Sequence, residues 1–349
     1  MKFFHLSHTD LDGYSAQLIS RKIYKNPIFY NANYGLEVKI YLEDILTQIK
    51  LQDKNEEIFF LITDLNLTPD ESRKLDHSIK QLIEDGYNIK LQLLDHHGTG
   101  EKSAAKYNWY YLDTSRSATK ITYDYFVENY PEFLDLCEDG FVEFIQSVNA
   151  VDIWLENDEL FEFGKVMMSM VSKSYEINNI LFRDENREYK FYLLENSINY
   201  IKQSDGHISL DEAIYSLKKE YLKLSDKNDT MDNLSSLHLV KALEHKKDEL
   251  TVYYQNHKGL LTYALGGISI PANTFLKVND DYDFFIDVSR RGKASLRADN
   301  KLDVAQLADK LAGGGGHPNA SGLAFKDWKD TVLYKDVKKY IEKKFAEIE

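Results

Sequence analysis

The stretch NIKLQLLDHHGTG (Asn88–Gly100) runs from a strand-like apolar segment straight into an acid, two histidines and a Gly-Thr-Gly turn. A strand that ends in three titratable side chains is either a solvated tip or the rim of a metal site. Imidazole and carboxylate together suit Mn, Fe, Co or Zn, whereas Mg and Ca sites are usually all-oxygen. The segments upstream repeat the pattern. KFFHLSH (Lys2–His8) reads as a strand, and a helix follows Gly13 and runs through Ile23. EIFFLITD (Glu57–Asp64) is a short buried-strand pattern. PDESRKLDHSIKQLIEDG (Pro69–Gly86) is a helix, with Pro69 in its first turn and Gly86 at its stop. Strands alternating with helices predict an α/β fold with a doubly wound, mostly parallel sheet. Ligands of such sheets sit outside the carboxyl ends of the strands, and all three strands end in acid or histidine.

The chain has 349 residues, so two domains are expected. No stretch approaches the apolar length of a membrane span. MKFFHLSHTD meets a histidine and an acid too early for a secretory signal, and the single Cys137 excludes an internal disulfide framework. A cytoplasmic protein is expected, with no membrane association and no obligate protein partner. The net charge of −14 disfavours broad coating of duplex nucleic acid but not a small phosphate-bearing ligand, because a metal or a local cationic pocket dominates inside a cleft.

In HTDLDG (His8–Gly13) a histidine and two acids alternate, which puts His8, Asp10 and Asp12 on one side if the chain stays extended. A solvated Asp-rich turn would read the same way. Asp64 alone would pass for an ordinary strand terminus. FVEFIQSVNAVDIW (Phe141–Trp154) is helical, with Phe141, Ile145 and Val148 on one stripe that Asp152 continues; an acid there is costly unless it is paired or binds a metal. His8, Asp10, Asp12, Asp64, His96 and Asp152 are too many for one tetrahedral zinc. They suit two ions sharing a bridging carboxylate, an arrangement that holds a hydroxide and stabilises in-line attack at phosphorus.

Residues 160–250 read as helices without recognisable chemistry. From Thr251 a second compact region begins, with TYALGG, DFFIDVSRRG and KASLRAD as strands and a helix bearing Val304, Leu307, Ala308 and Leu311 on one face. That helix stops in Gly313, Gly314, Gly315 and Gly316, followed by His317 and Asn319. The row lacks the Lys-Ser/Thr of a P-loop. Four ordered glycines are entropically expensive, and a row of N–H groups there would receive phosphate oxygens; a flexible hinge is the alternative. Arg290, Arg291, Lys293 and Arg297 lie nearby. Trp109, Trp154 and Trp328 are expected in the core.

Taken in order, HTDLDG, Asp64, DHH at 95–97, Asp152 and GGGGHPNASG resemble the DHH phosphoesterase superfamily, with its DHH-associated domain at the C-terminal end. The resemblance leaves the helical middle uncovered. It implies a catalytic domain over 1–165, a helical connector over 166–250 and a smaller α/β substrate-binding domain over 251–349. It implies two Mn²⁺ ions, with Mg²⁺ or Co²⁺ as substitutes. His8, Asp10 and Asp64 would hold one ion; Asp12, Asp64, His96 and Asp152 the other. His97 would face the reacting phosphate, Asp95 would orient a neighbouring histidine, and Arg297, Gly313–Gly316, His317 and Asn319 would grip the nucleotide. His8 stands two residues before Asp10, as in RecJ-type exonucleases rather than pyrophosphatases. The expected activity is hydrolysis of short single-stranded oligonucleotides (nanoRNA) to 5′-mononucleotides. A cyclic-nucleotide or 3′,5′-bisphosphate phosphatase, or a non-catalytic nucleotide sensor, are the alternatives.

Overall fold

The computed structural model describes residues 1–348, which divide into two compact units: Met1–Ser174 with Glu188–Leu217, and Tyr175–Arg187 with residues 218–348. The helical stretch 166–250 is therefore shared between both units. Among the described residues no helix is long and apolar enough to cross a membrane.

The first unit alternates β1 (Lys2–Ser7), α1 (Leu11–Ile23), β2 (Ile28–Asn31), α2 (Leu36–Lys50), β3 (Glu57–Thr63), α3 (Pro69–Glu84), β4 (Asn88–Asp95), α4 (Glu101–Ala104), β5 (Tyr110–Leu112), α5 (Ala118–Asn129), α6 (Phe141–Asp152) and α7 (Phe161–Ser172). Its five strands are all parallel, in the order β2-β1-β3-β4-β5. In β3 the run Ile58–Thr63 is wholly buried, as a central parallel strand must be when helices cover both faces. Local chemistry fixes the helices: Asp10 caps α1, and Thr68 and Glu71 form a reciprocal capping box on α3 with Pro69 in the first turn. The short β2 and β5 were not legible in the sequence. Strand order reverses between β1 and β3, where the crevice for ligands lies.

Three further helices follow, α8 (Arg183–Ser197), α9 (Gly206–Leu222) and α10 (Met231–Leu250). The second, smaller unit then forms β6 (Thr251–Tyr254), β7 (His257–Tyr263), α11 (Ser269–Val278), β8 (Phe284–Val288), β9 (Lys293–Ala298), α12 (Val304–Ala312), β10 (Gly315–His317), β11 (Ala320–Ala324) and α13 (Tyr334–Ala346). The sheet order is β10-β11-β9-β8-β7-β6, with only β7 and β8 parallel. One sheet face, carrying Leu261, Ile286, Ala294 and Leu296, packs on α12 and α13. The expected strand in TYALGG is displaced: β7 starts at His257 and ends at Tyr263, because Ala264 and Gly266 take positive φ and turn the chain.

Candidate metal centre

Every expected metal ligand lies at the carboxyl rim of the parallel sheet, around the β1/β3 switch point. HTDLDG does not remain extended: the chain turns helical at Leu11, so Asp10 becomes the N-cap, its Oδ1 accepting from Gly13 N–H at 3.0 Å, and Asp12 sits in the first turn. Gly13 is required by contact. A Cβ there would lie 2.4 Å from the His8 carbonyl oxygen, so only glycine lets α1 start so close to β1. The buried Asp12 carboxylate accepts from Ala118 N–H at 2.7 Å and Thr119 N–H at 2.8 Å. It thus caps the positive end of α5, where unpaired N–H groups favour an anion.

Asp64 follows β3 with φ +56, a left-handed conformation that Asp tolerates better than most residues. Its carboxylate is buried, and its two oxygens point to different neighbours: Oδ2 stands 3.7 Å from His8 Nδ1, and Oδ1 stands 3.4 Å from His96 Nε2. Oδ2 has no hydrogen-bond partner, a costly condition for a buried carboxylate oxygen. His96 Nε2 is also 3.8 Å from Asp12 Oδ2 and 3.5 Å from Asp152 Oδ2, and His8 Nδ1 is 2.8 Å from Asp10 Oδ2. Donor atoms of His8, Asp10 and Asp64, and those of Asp12, His96 and Asp152, each lie within 4.8 Å of one another. Asp64 with His96 and His97 makes a third such group. The first two groups can each take a divalent ion, with Asp64 between them.

The electrostatics agree with the geometry. Burial, then repulsion from Asp10, Asp12 and Asp152, holds the Asp64 carboxyl well above the usual range. Burial and then Asp12 and Asp10 push Asp152 up to about 9. Burial likewise raises Asp12 and lowers His96. Divalent ions would offset this repulsion and favour the charged carboxylates.

Beside the cluster, His97 Nδ1 shares a 2.7 Å hydrogen bond with Asp95 Oδ1, and Tyr110 Oη donates to Asp95 Oδ2 at 2.8 Å. Both oxygens of the buried Asp95 are therefore engaged. Against the opposing effect of burial, the Asp95 hydrogen bond raises the His97 pKa. The Gly-Thr-Gly turn now has a reason: a Cβ on Gly100 would lie 2.2 Å from the Tyr110 hydroxyl. Sequence reasoning missed Tyr110, the α5 N-terminus and Tyr34, whose hydroxyl lies 3.3 Å from His97 Nε2. For Tyr110 the second glycine was the available signal.

In the second unit the glycine row is not an open loop. Gly313 ends α12 at φ +66; Gly315–His317 is the edge strand β10, paired with Ala320–Gly322. Its N–H groups therefore belong in part to a ladder. Gly314 and Gly316 are forced by packing, since a Cβ would meet Gly322 O at 2.4 Å and Ala320 O at 2.5 Å. At Gly315 a Cβ would meet nothing within 4 Å. Arg297, Ala320 and His317 stand in cross-strand register on one face, beside a row of Ser295, Gly322 and Gly315. The Arg297 guanidinium donates to Leu296 O and Ser269 Oγ, both at 2.8 Å. Asn319 is engaged with Asn300, accepting from its N–H at 2.9 Å and donating to Oδ1 at 2.8 Å; it shapes the turn. Arg290 pairs with Asp330. Trp154, expected in the core, is 56% exposed with φ +58, because it lies in the turn that follows the end of α6.

No family model matches the chain. A 3′,5′-cyclic-nucleotide phosphodiesterase from Helicobacter pylori is 42% identical over 345 residues, spanning 99% of each chain. The crystal structure of an uncharacterized protein from Helicobacter pylori G27 is also 42% identical, covers 99% of each chain and has a TM-score of 0.88. A pGpG-specific phosphodiesterase from Vibrio cholerae aligns over both whole chains at 13% identity and a TM-score of 0.26. At 42% identity along the full length, the chain belongs to the family of the Helicobacter pylori 3′,5′-cyclic-nucleotide phosphodiesterase, and it is a hydrolase of phosphoester bonds.

Proposed function

We propose that the chain is a manganese-dependent nucleotide phosphodiesterase of the DHH superfamily, cleaving the bond between phosphorus and a ribose 3′ oxygen. The observation that carries this reading is Asp64: a buried carboxylate with one unpartnered oxygen, reaching both ligand groups. A mixed imidazole–carboxylate donor set fits Mn²⁺, with Mg²⁺ or Co²⁺ as substitutes. His8, Asp10 and Asp64 would hold one ion and Asp12, Asp64, His96 and Asp152 the other. When bound, the ions supply a water that is nucleophilic at neutral pH and neutralise charge on the phosphoryl oxygens.

The chain's own residues do the rest. Asp12 is fixed by the N–H groups of α5, so its oxygens need no reorganisation when an ion arrives. Asp95, held by Tyr110, keeps the His97 ring oriented with Nδ1 engaged. That leaves Nε2 for the substrate, where it can hold a phosphoryl oxygen or pass a proton to the departing 3′ oxygen. On the second unit the open face of Arg297, His317 and Gly315 offers an anion site.

The family name makes 3′,5′-cyclic nucleotides the first substrates to consider. Short oligonucleotides are the second, as the likeness of the motif set to the DHH superfamily implies. Both, like a 3′,5′-bisphosphate nucleotide, release the ribose 3′ oxygen and leave a 5′-mononucleotide. The test is chromatography of products from cyclic AMP, cyclic GMP, di- to pentaribonucleotides and a 3′,5′-bisphosphate, with and without Mn²⁺. A 5′-mononucleotide that forms only with metal, and not with Asp64→Asn, is the expected result. No product from any of these substrates at saturating Mn²⁺ would remove the reading.

A further inference from the structure

The sequence NANYG (Asn31–Gly35) links β2 to α2 and crosses the same carboxyl rim. Side chains on either side of Tyr34 tie this loop down. Asn31 Nδ2 donates to the His8 carbonyl at 3.0 Å and to Gln17 Oε1 at 2.9 Å. Thr9, between two candidate ligands, donates to Asn33 Oδ1 at 2.8 Å, and the Asn33 N–H donates to Glu37 Oε2 at 2.9 Å. Gly35, at φ +86, then turns the chain into α2. Tyr34 is thus braced against the metal-binding loop. Its ring leans on His8 with centroids 5.1 Å apart and on His97 at 5.9 Å, yet the residue is 44% exposed. An aromatic side chain wedged between two site histidines and still open to solvent faces the space a substrate must enter.

We propose that Tyr34 contacts the substrate directly: its hydroxyl, 3.3 Å from His97 Nε2, turns to donate to a non-bridging oxygen of the scissile phosphoryl group. The resting contact of 3.3 Å is long for a hydrogen bond, so exchanging it costs little. A donor to an anionic phosphoryl oxygen makes a shorter and stronger bond. The exchange also frees His97 Nε2 for the 3′ oxygen. A neutral donor is useful here, because the rim already carries Asp10, Asp12, Asp64 and Asp152, and an O–H aimed at the phosphate adds attraction without adding charge. The inference rests on the phosphodiesterase reading of this site.

The test compares the full-length parent with Tyr34→Phe, which keeps the ring and removes only the hydroxyl. Calorimetry measures binding of Mn²⁺ alone and then of inorganic phosphate to the Mn²⁺-loaded protein; turnover is measured on the best nucleotide substrate. Expected are Mn²⁺ affinity within about threefold of the parent, phosphate affinity about tenfold weaker, and kcat lower by about 10- to 100-fold. Phosphate binding and kcat within twofold of the parent would overturn the proposal. So would a Mn²⁺ affinity that falls as far as the phosphate affinity, since Tyr34 would then act by holding His8. If the parent turns over no nucleotide, the phosphodiesterase reading fails, while the phosphate titration still decides Tyr34.

Discussion

Gly100→Ala sets two known effects against each other. Gly100 has φ −76 and ψ −10, ordinary right-handed backbone, so alanine there should stabilise by about 0.4–1 kcal/mol through the unfolded chain. Against this, the new Cβ would sit 2.2 Å from the Tyr110 hydroxyl, 2.9 Å from its Cζ and 3.3 Å from Asp95 Oδ2. The hydroxyl must leave Asp95, a hydrogen bond to a charged and buried acceptor worth about 1.5–3 kcal/mol. The contact wins, and the difference between the two effects is a net destabilisation of roughly 0.5–2.5 kcal/mol. The mechanism predicts its own cancellation. In a Tyr110→Phe background the hydroxyl is already gone and only the ring edge, its Cζ 2.9 Å away, must give, so Gly100→Ala should cost less than in the parent, with a coupling of about 1–2 kcal/mol in the double-mutant cycle. Urea unfolding of the metal-free protein, followed by circular dichroism, measures all four corners. Equal costs in both backgrounds, or a stabilised single variant, would show that Gly100 does not serve the Tyr110–Asp95 bond.

Metal-free Asp64→Asn should melt at or above the parent, because it removes a buried carboxylate from a group of four acids; Mn²⁺ at 100 times Kd should then stabilise the parent by about 2.7 kcal/mol and the variant hardly at all, readable by thermal shift. His5 is buried beneath the site between Ser20 Oγ and Thr63 Oγ1, both at 2.8 Å, and burial pushes its pKa down to about 3. Its folded pKa lies below the unfolded value of 6.5, so its contribution is complete above about pH 6.5 and is lost as pH falls, by about 1.4 kcal/mol per unit. Denaturant midpoints of the parent should therefore drop relative to His5→Gln between pH 7 and pH 4.5, and parallel curves would refute this. Gly314→Ala should destabilise, with its Cβ 2.4 Å from Gly322 O, while Gly315→Ala, with nothing within 4 Å, should keep the parent's melting temperature. If Gly315 lies under the nucleotide, its variant should still raise KM at least about tenfold, taking one lost charged contact as the scale; an unchanged KM would move the ligand elsewhere.

The parallel α/β class and the residues at its rim were legible in the chain before any packing was known. The periodicity of EIFFLITD and NIKLQLLD, the caps at Asp10 and Thr68, and the acids and histidines at successive strand ends are local signals. A parallel sheet brings successive strand ends to one edge whatever the details. Contacts between distant segments were not legible and come from packing alone. Tyr34 lies in the loop that follows a strand of four residues, and Tyr110 on a strand of three, too short to show a period. Asp12 meets Ala118 and Thr119 more than a hundred positions away, and no spacing rule reaches that far. The glycine row looked like a loop because glycine opposes regular structure. It became an edge strand because neighbouring backbone at Ala320 and Gly322 leaves no room for a side chain at Gly314 or Gly316. Which side chains sit at a strand end follows from the chain's own periodicity; what braces them there follows only from which remote segments pack against them.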